Sequence, residues 1–237
     1  MRSLCIVPVF NQAAELPRLI EKLKAPIPCD DVLFVDDGST DGSTELIKNS
    51  GFKFILNKKR RGIGYALICG TRFAIEKRFD VVVHLAGNGK MLPNEMYRVL
   101  NPIKAGKADY VWGSRFLPGG NFENAPKFRK YAISMGMNHV PRVITGKKVT
   151  DVTCGYRAYK TDILMKCAKG WDQPWLYRYE FEYYVLAKVL KSRFRTLEVP
   201  ISMIYPPSGK NYSKITPVIS WWSMLKPWLF VGLGLAK

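Results

Sequence analysis

The stretch Val32-Leu33-Phe34-Val35-Asp36-Asp37-Gly38-Ser39-Thr40-Asp41-Gly42 decides how the rest of the chain is read. An apolar run ends on two carboxylates and a Gly-Ser turn, which is how a buried parallel strand delivers polar groups to the edge of a site. Downstream, Asn57-Lys58-Lys59-Arg60-Arg61-Gly62-Ile63-Gly64 is a basic, glycine-punctuated loop of the kind that holds phosphates. The two loops point to a nucleotide pocket.

Working outward, apolar runs predict strands over 3–7, 31–36, 52–56, 81–85 and 109–113, the first broken at Pro8, which cannot donate to a ladder. Between them, helical spacing (Leu16, Leu19, Ile20 and Leu23 in the first case) predicts helices over 12–24, 44–47, 63–77 and 93–105. Strands alternating with helices imply a mostly parallel sheet covered on both faces. Its ligand belongs beyond the strand C-termini, where 8–11, 36–41, 86–90 and 113–115 fall. The second half is less regular: a helix over 127–146, a loop or short strand over 151–157, a helix over 177–191, a strand over 195–204 and a flexible basic loop over 206–214. In the tail, Trp221, Trp222, Met224, Leu225, Trp228, Leu229 and Phe230 crowd into a few turns around Lys226-Pro227. The apolar run after Pro227 is far short of the ~20 residues that span a bilayer. Trp beside Lys suits either a membrane interface or an amphipathic helix folded onto the domain.

At 237 residues there is room for one large α/β domain or two small ones, and 47% apolar residues support a core. Lys plus Arg number 37 against 19 acidic residues, giving +18, which favours an anionic partner: a nucleotide, a lipid phosphate or a phospholipid surface. The basic residues are scattered and no RNA- or DNA-binding motif is present, so no nucleic-acid partner is expected. Cys5, Cys29, Cys69, Cys154 and Cys167 lie far apart without metal or disulfide spacing, which places the chain in a reducing cytoplasm. The apolar run at the start is too short for a secretory leader.

In order and spacing, Ile6-Val7-Pro8-Val9-Phe10-Asn11, Val35–Gly42, Arg61-Gly62-Ile63-Gly64 with Ala66, Gly113-Ser114-Arg115-Phe116, Asp151-Val152-Thr153-Cys154-Gly155-Tyr156-Arg157 and Glu198-Val199-Pro200-Ile201 form one pattern. The chain resembles the family 2 glycosyltransferases along nearly its whole length, and within them the dolichyl- or polyprenyl-phosphate mannosyltransferase-like group. The resemblance implies an α/β GT-A (nucleotide-diphospho-sugar transferase) fold with a mostly parallel central sheet and helices on both faces. The glycosyltransferase domain would cover 1–215, its nucleotide-binding half about 1–116 and its acceptor half about 117–215, with a Trp-rich amphipathic tail over 216–237.

It further implies that Pro8, Phe10, Asn11, Asp36 and Asp37 contact the nucleoside, an aromatic edge packing on the base while a carboxylate accepts its N–H. Turn and helix capping is the alternative use of the two acids. Arg60, Arg61 and Gly62 lie where the diphosphate would be touched, although a run of cations is more often a solvated face. Arg115 follows a strand directly and its planar fork suits phosphate. Arg129, Lys130 and Arg157 match acceptor-phosphate positions, Arg157 alternatively pairing with Glu180. Lys210 and Lys214 fall in a loop that resembles the family's lid. Glu182 sits where relatives acting on hydroxyl acceptors place a base; a lipid phosphate needs none.

The chain departs from the family at the end of its fourth strand, where an Asp-x-Asp pair would grip Mg²⁺ or Mn²⁺. Here the residues are Ala86-Gly87-Asn88-Gly89-Lys90. Three outcomes stand open: Lys90 replaces the ion against the diphosphate, a metal binds weakly through Asn88, or the chain binds nucleotide-sugar without turnover. The expected function is an inverting glycosyltransferase using a UDP- or GDP-sugar, with a polyprenyl phosphate or another membrane-associated glycan or lipid as acceptor. It would work at the cytoplasmic membrane face, with a membrane-protein partner conceivable. The alternative is an inactive nucleotide-sugar-binding paralogue or partner subunit.

Overall fold

The computed structural model describes residues 1–125, 136–205 and 219–235. Strands β1 (Ser3–Val9), β2 (Asp31–Asp36), β3 (Lys53–Leu56), β4 (Val81–His84), β5 (Tyr110–Ser114), β7 (Arg157–Lys160) and β8 (Thr196–Pro200) form a seven-stranded sheet in the order β3-β2-β1-β4-β7-β5-β8. All pair in parallel except β7, which runs antiparallel to both β4 and β5. A small parallel ribbon joins β6 (Asn121–Glu123) to β9 (Ser202–Ile204).

The period of two along a strand sends alternate residues to opposite faces, and the buried runs supply apolar side chains to both. Leu4, Ile6, Leu33 and Val35 join one core with helices α3 (Ile63–Glu76), α7 (Glu180–Leu190) and α8 (Ile219–Gly232). Cys5, Val7, Val32 and Phe34 join the other with α1 (Leu16–Lys24) and α4 (Met96–Lys104). Helices α2 (Ser43–Lys48), α5 (His139–Thr145) and α6 (Asp162–Cys167) complete the described α-helices, and short 3₁₀ turns stand at Pro93–Glu95 and Pro174–Leu176.

Several boundaries differ from the sequence reading. Strand β1 continues through Pro8, because β4 pairs only with Ser3–Ile6 and nothing beyond needs the missing N–H; the Pro8 carbonyl accepts Gly87 N at 3.3 Å. The first helix starts at Leu16 rather than residue 12, since Asn11 turns the chain at φ +50° and Gln12–Glu15 form a turn. The run 195–204 is two strands, β8 and β9, belonging to different sheets. Strand β7 begins at Arg157, where the expected loop or short strand ends, and inserts between β4 and β5. The halves on either side of residue 116 therefore share one sheet. In the tail, α8 runs straight through Pro227 and folds onto the domain, burying Met224, Trp228 and Val231. The predicted 127–146 helix is described only from residue 136 onward, and the basic loop over 206–214 lies outside the described residues.

Candidate functional site

Strands β1, β2, β4 and β5 end at one edge of the sheet, and the expected site segments gather there. At the end of β2, Asp36 accepts Ser39 N at 3.0 Å and the hydroxyls of Ser39 and Thr44, closing the turn into α2. This is a local use of Asp side-chain oxygens. Asp37 instead reaches across to the basic loop. It accepts Gly62 N at 2.6 Å, Arg61 N at 3.0 Å and Asn57 Nδ2 at 3.3 Å. Burial pushes its carboxyl above the ordinary value, against the pull of those donors. Gly38, at φ +75°, lets the loop lie on the turn: a Cβ there would sit 2.8 Å from Arg60 N. Both acids are thus engaged by protein groups.

Asn11 also ties the edge together. Its Oδ1 accepts Thr40 N at 2.8 Å and its own N–H meets Ser39 Oγ at 2.9 Å. The Arg60 guanidinium covers the Phe10 ring at 4.3 Å, and that of Arg61 covers Tyr65 at 4.5 Å. The start of α3 lies against the chain before α7: Tyr65 N donates to Tyr177 O at 2.9 Å, and a Cβ on Gly64 would collide with Leu176 O. Pro8, Phe10, Asn11, Asp37, Arg60, Arg61 and Gly62 therefore form one corner, with an aromatic ring, two guanidinium groups and an anchored loop.

The turn after β4 has a different character. Ala86 offers no ligand, and the Asn88 Oδ1 accepts Lys90 N at 3.2 Å, inside its own turn. Gly89 has φ +67°, and the Glu15 carboxylate stands 3.8 Å from where its Cβ would be. Lys90 is 5% exposed, and its Nζ sits 4.4 Å from the centre of the Tyr205 ring. Among the described residues no group of three or more His, Cys, Asp or Glu side chains is arranged to hold an ion. A turn with one neutral oxygen already engaged and a buried ammonium beside it does not fit a divalent cation.

Arg115 is buried, and its fork is bidentate to Asp151 through Nε at 2.6 Å and Nη2 at 2.7 Å, with Thr153 Oγ1 at 2.6 Å from Nη2. Burial disfavours its charge, but the Asp151 carboxylate outweighs that and holds the guanidinium more firmly protonated. Glu198 fixes the 150–151 turn by accepting Asp151 N at 2.7 Å and Thr150 N at 2.9 Å. The Arg115 fork read as a phosphate binder is thus spent on the protein.

Arg157 is 1% exposed, surrounded by the carbonyls of Cys154, Val152 and Glu182 and the Tyr110 hydroxyl, all within 3.1 Å. It braces the 151–155 loop from inside rather than facing an acceptor, and its ion partner is Glu182, at 3.5 Å, rather than Glu180. Glu182 lies beside Gly155, its Oε1 3.6 Å from His84 Nδ1. That nitrogen has no hydrogen-bond partner among the described residues, while Nε2 meets Tyr159 Oη at 3.1 Å. Arg129, Lys130, Lys210 and Lys214 lie outside the described residues.

The sequence reading missed three side chains at this edge. His84 carried a signal, a polar residue in an otherwise apolar buried strand. Tyr205 carried a fainter one, an aromatic directly before Pro206-Pro207. Glu15 carried none, since an acid at a helix start is ordinary.

The family model "Glycosyl transferase family 2" matches residues 4–167. The undecaprenyl-phosphate mannosyltransferase of Micrococcus luteus is 33% identical over 216 residues, covering 89% of this chain and 87% of that protein. The polyprenol monophosphomannose synthase of Mycolicibacterium smegmatis is 30% identical over 213 residues, covering 85% and 77%. Among solved structures, glucosyl-3-phosphoglycerate synthase from Mycobacterium tuberculosis, in complex with Mn²⁺, uridine diphosphate and phosphoglyceric acid, superposes with a TM-score of 0.70 at 16% identity. The match covers 100% of this chain and 78% of that one. At that identity the likeness shows the fold, and it is the GT-A fold.

Proposed function

This chain belongs to glycosyl transferase family 2, and we propose that it moves a hexose-type sugar, mannose in the first instance, from a GDP- or UDP-sugar to a polyprenyl phosphate. The names of two relatives that match most of the chain support the acceptor class and the sugar. The observation that carries the mechanism is Lys90, a buried ammonium at the end of β4, where the family places an acid-held ion.

The donor's base would lie in the Phe10–Asn11–Asp37 corner and its diphosphate would cross toward the β4 turn. As the sugar C1–O bond breaks, negative charge grows on the diphosphate and Lys90 meets it. A fixed charge in a site that excludes water stabilises such a transition state with little reorganisation. Arg60 and Arg61 leave their aromatic rings to follow the phosphates, or hold them from the loop side. The acceptor oxygen attacks C1 from the opposite face, so the configuration inverts. A phosphate acceptor is already anionic, and Glu182 then shapes the floor instead of taking a proton.

The test is transfer of labelled sugar to a polyprenyl phosphate with and without EDTA. Turnover is expected to survive chelation and to fall about a hundredfold or more in Lys90→Ala. A second reading, a nucleotide-sugar-binding subunit, is favoured by Ala86 and Asn88; binding of donor without turnover on any lipid would select it.

The acceptor also sets a location. Among the described residues no helix is long and apolar enough to cross a membrane. On α8 and just after it, however, Trp222, Leu229, Leu233 and Leu235 are exposed, the first at 54%. A Trp- and Leu-bearing strip on a chain of +18 suits peripheral attachment to an anionic bilayer, on the cytoplasmic side where free cysteines persist. Trp222→Ser with Leu229→Ser is expected to weaken co-sedimentation with phosphatidylglycerol vesicles several-fold while leaving the melting temperature unchanged.

A further inference from the structure

Resting on the reading of Lys90 as the cation that meets the leaving diphosphate, we infer that Tyr205 is the positioning residue that holds this ammonium in the cleft. A lysine ordinarily makes a poor fixed charge, because its flexible stem wanders unless something stops it. Here the stop is built from two sides. The Lys90 backbone is pinned, its carbonyl accepting Ile204 N at 3.0 Å, and Met91 bridges to Met203. Its Nζ then rests over the Tyr205 ring at 4.4 Å.

The ring itself cannot drift. Tyr205 is 6% exposed, its N–H donates to Glu123 O at 3.1 Å, and its carbonyl accepts Asn124 Nδ2 at 3.2 Å. Its ring packs on Phe122 at 5.5 Å, and the Arg115 guanidinium, locked to Asp151, covers Phe122 at 4.1 Å. The ribbon β6–β9 thus works as a shelf for one side chain.

The chemistry of the shelf matters. A carboxylate partner would fix the ammonium but cancel most of its charge. An aromatic face attracts a cation through its quadrupole and leaves its net charge whole. A metal-type site needs acids to hold its ion; a lysine-type site needs a holder that is not an acid. Tyr205, on the β6–β9 ribbon side of Lys90, supplies it.

A double-mutant cycle tests this, read as the dissociation constants of UDP and GDP in EDTA and as kcat and KM for transfer. Tyr205→Phe keeps the ring and is expected to bind and turn over within about twofold of the natural chain. Tyr205→pentafluorophenylalanine keeps the shape but removes the negative face. It is expected to weaken diphosphate binding about fivefold and to lower kcat, with the melting temperature held. In a Lys90→Ala background the same fluorinated variant should cost nothing further. Equal affinities for the phenyl and fluorinated rings, or an equal loss with and without Lys90, would overturn the assignment and leave Tyr205 as packing. If Lys90→Ala alone changes neither affinity nor turnover, the fault lies in the reading of Lys90 rather than in the ring.

Discussion

The turns after β2 and β4 flank the end of β1, and both follow buried parallel strands of the same sheet. The β2 turn keeps its two acids and spends both on the protein, Asp36 within its own bend and Asp37 on the amides of the basic loop. The β4 turn has no acid at all; it closes on Asn88 and buries the Lys90 ammonium. A carboxylate at a strand end is therefore not by itself a ligand waiting for a partner. What decides its role is which donors lie within reach, and at β2 these include main-chain N–H groups that need an acceptor. At β4, where no acid stands in the turn, the Lys90 ammonium lies 4.4 Å from the centre of the Tyr205 ring.

The largest effect should come from making the second turn resemble a metal site. The triple variant Ala86→Asp, Asn88→Asp, Lys90→Gln is expected to be inactive in EDTA, at least about a hundredfold below the natural chain, and to recover part of its turnover in Mn²⁺. The natural chain should show no such dependence. Equal stimulation of both by Mn²⁺ would erase the contrast.

A smaller effect is expected when the first turn loses its latch. Asp37→Ala leaves the Arg61 and Gly62 N–H groups without their acceptor, which costs about 1–3 kcal/mol of stability. It should also raise the donor KM by about tenfold while changing kcat less, because the loop is displaced rather than the leaving-group cation. Thermal denaturation and steady-state kinetics on the same preparation would separate the two outcomes.

The finest distinction is in pH dependence. Desolvation raises the Asp37 carboxyl, so the folded chain holds that proton more tightly than the unfolded chain does. The stability from this group is fully present below the ordinary carboxylate value and is lost as pH rises through the raised one. Chemical denaturation of the natural chain and of Asp37→Asn, stepped from about pH 3.5 to 6, should show the stability of the natural chain falling relative to that of the variant as pH rises. An identical slope in both would mean that the carboxyl is not desolvated.

Much of this molecule can be read in one dimension. The strands carrying Val32–Val35 and Val81–Leu85 announce themselves because burial on both faces demands unbroken apolar runs. The turn residues after them follow from the topology of such sheets. Arg115 and Arg157 are harder, since a guanidinium after a strand looks the same whether it awaits a phosphate or braces a loop. Only the approach of Asp151, 36 residues on, and of the carbonyls around Arg157 tells the uses apart. Strand β7 escaped notice because Arg157-Ala158-Tyr159-Lys160 has polar ends and its partners are remote in sequence. The approach of Lys90 Nζ to the Tyr205 ring spans 115 positions and leaves no local pattern.

The reversed strand in the middle of the sheet also governs how the molecule is made. As the chain leaves the ribosome, β4 and β5 emerge early, yet neither has its central neighbour until Arg157–Lys160 arrives. Until then two apolar edges stand open to any passing strand, the condition under which nascent proteins aggregate or recruit chaperones. Translation arrested before residue 157 should leave a product that proteases clear readily, and arrest after β8 one that resists them.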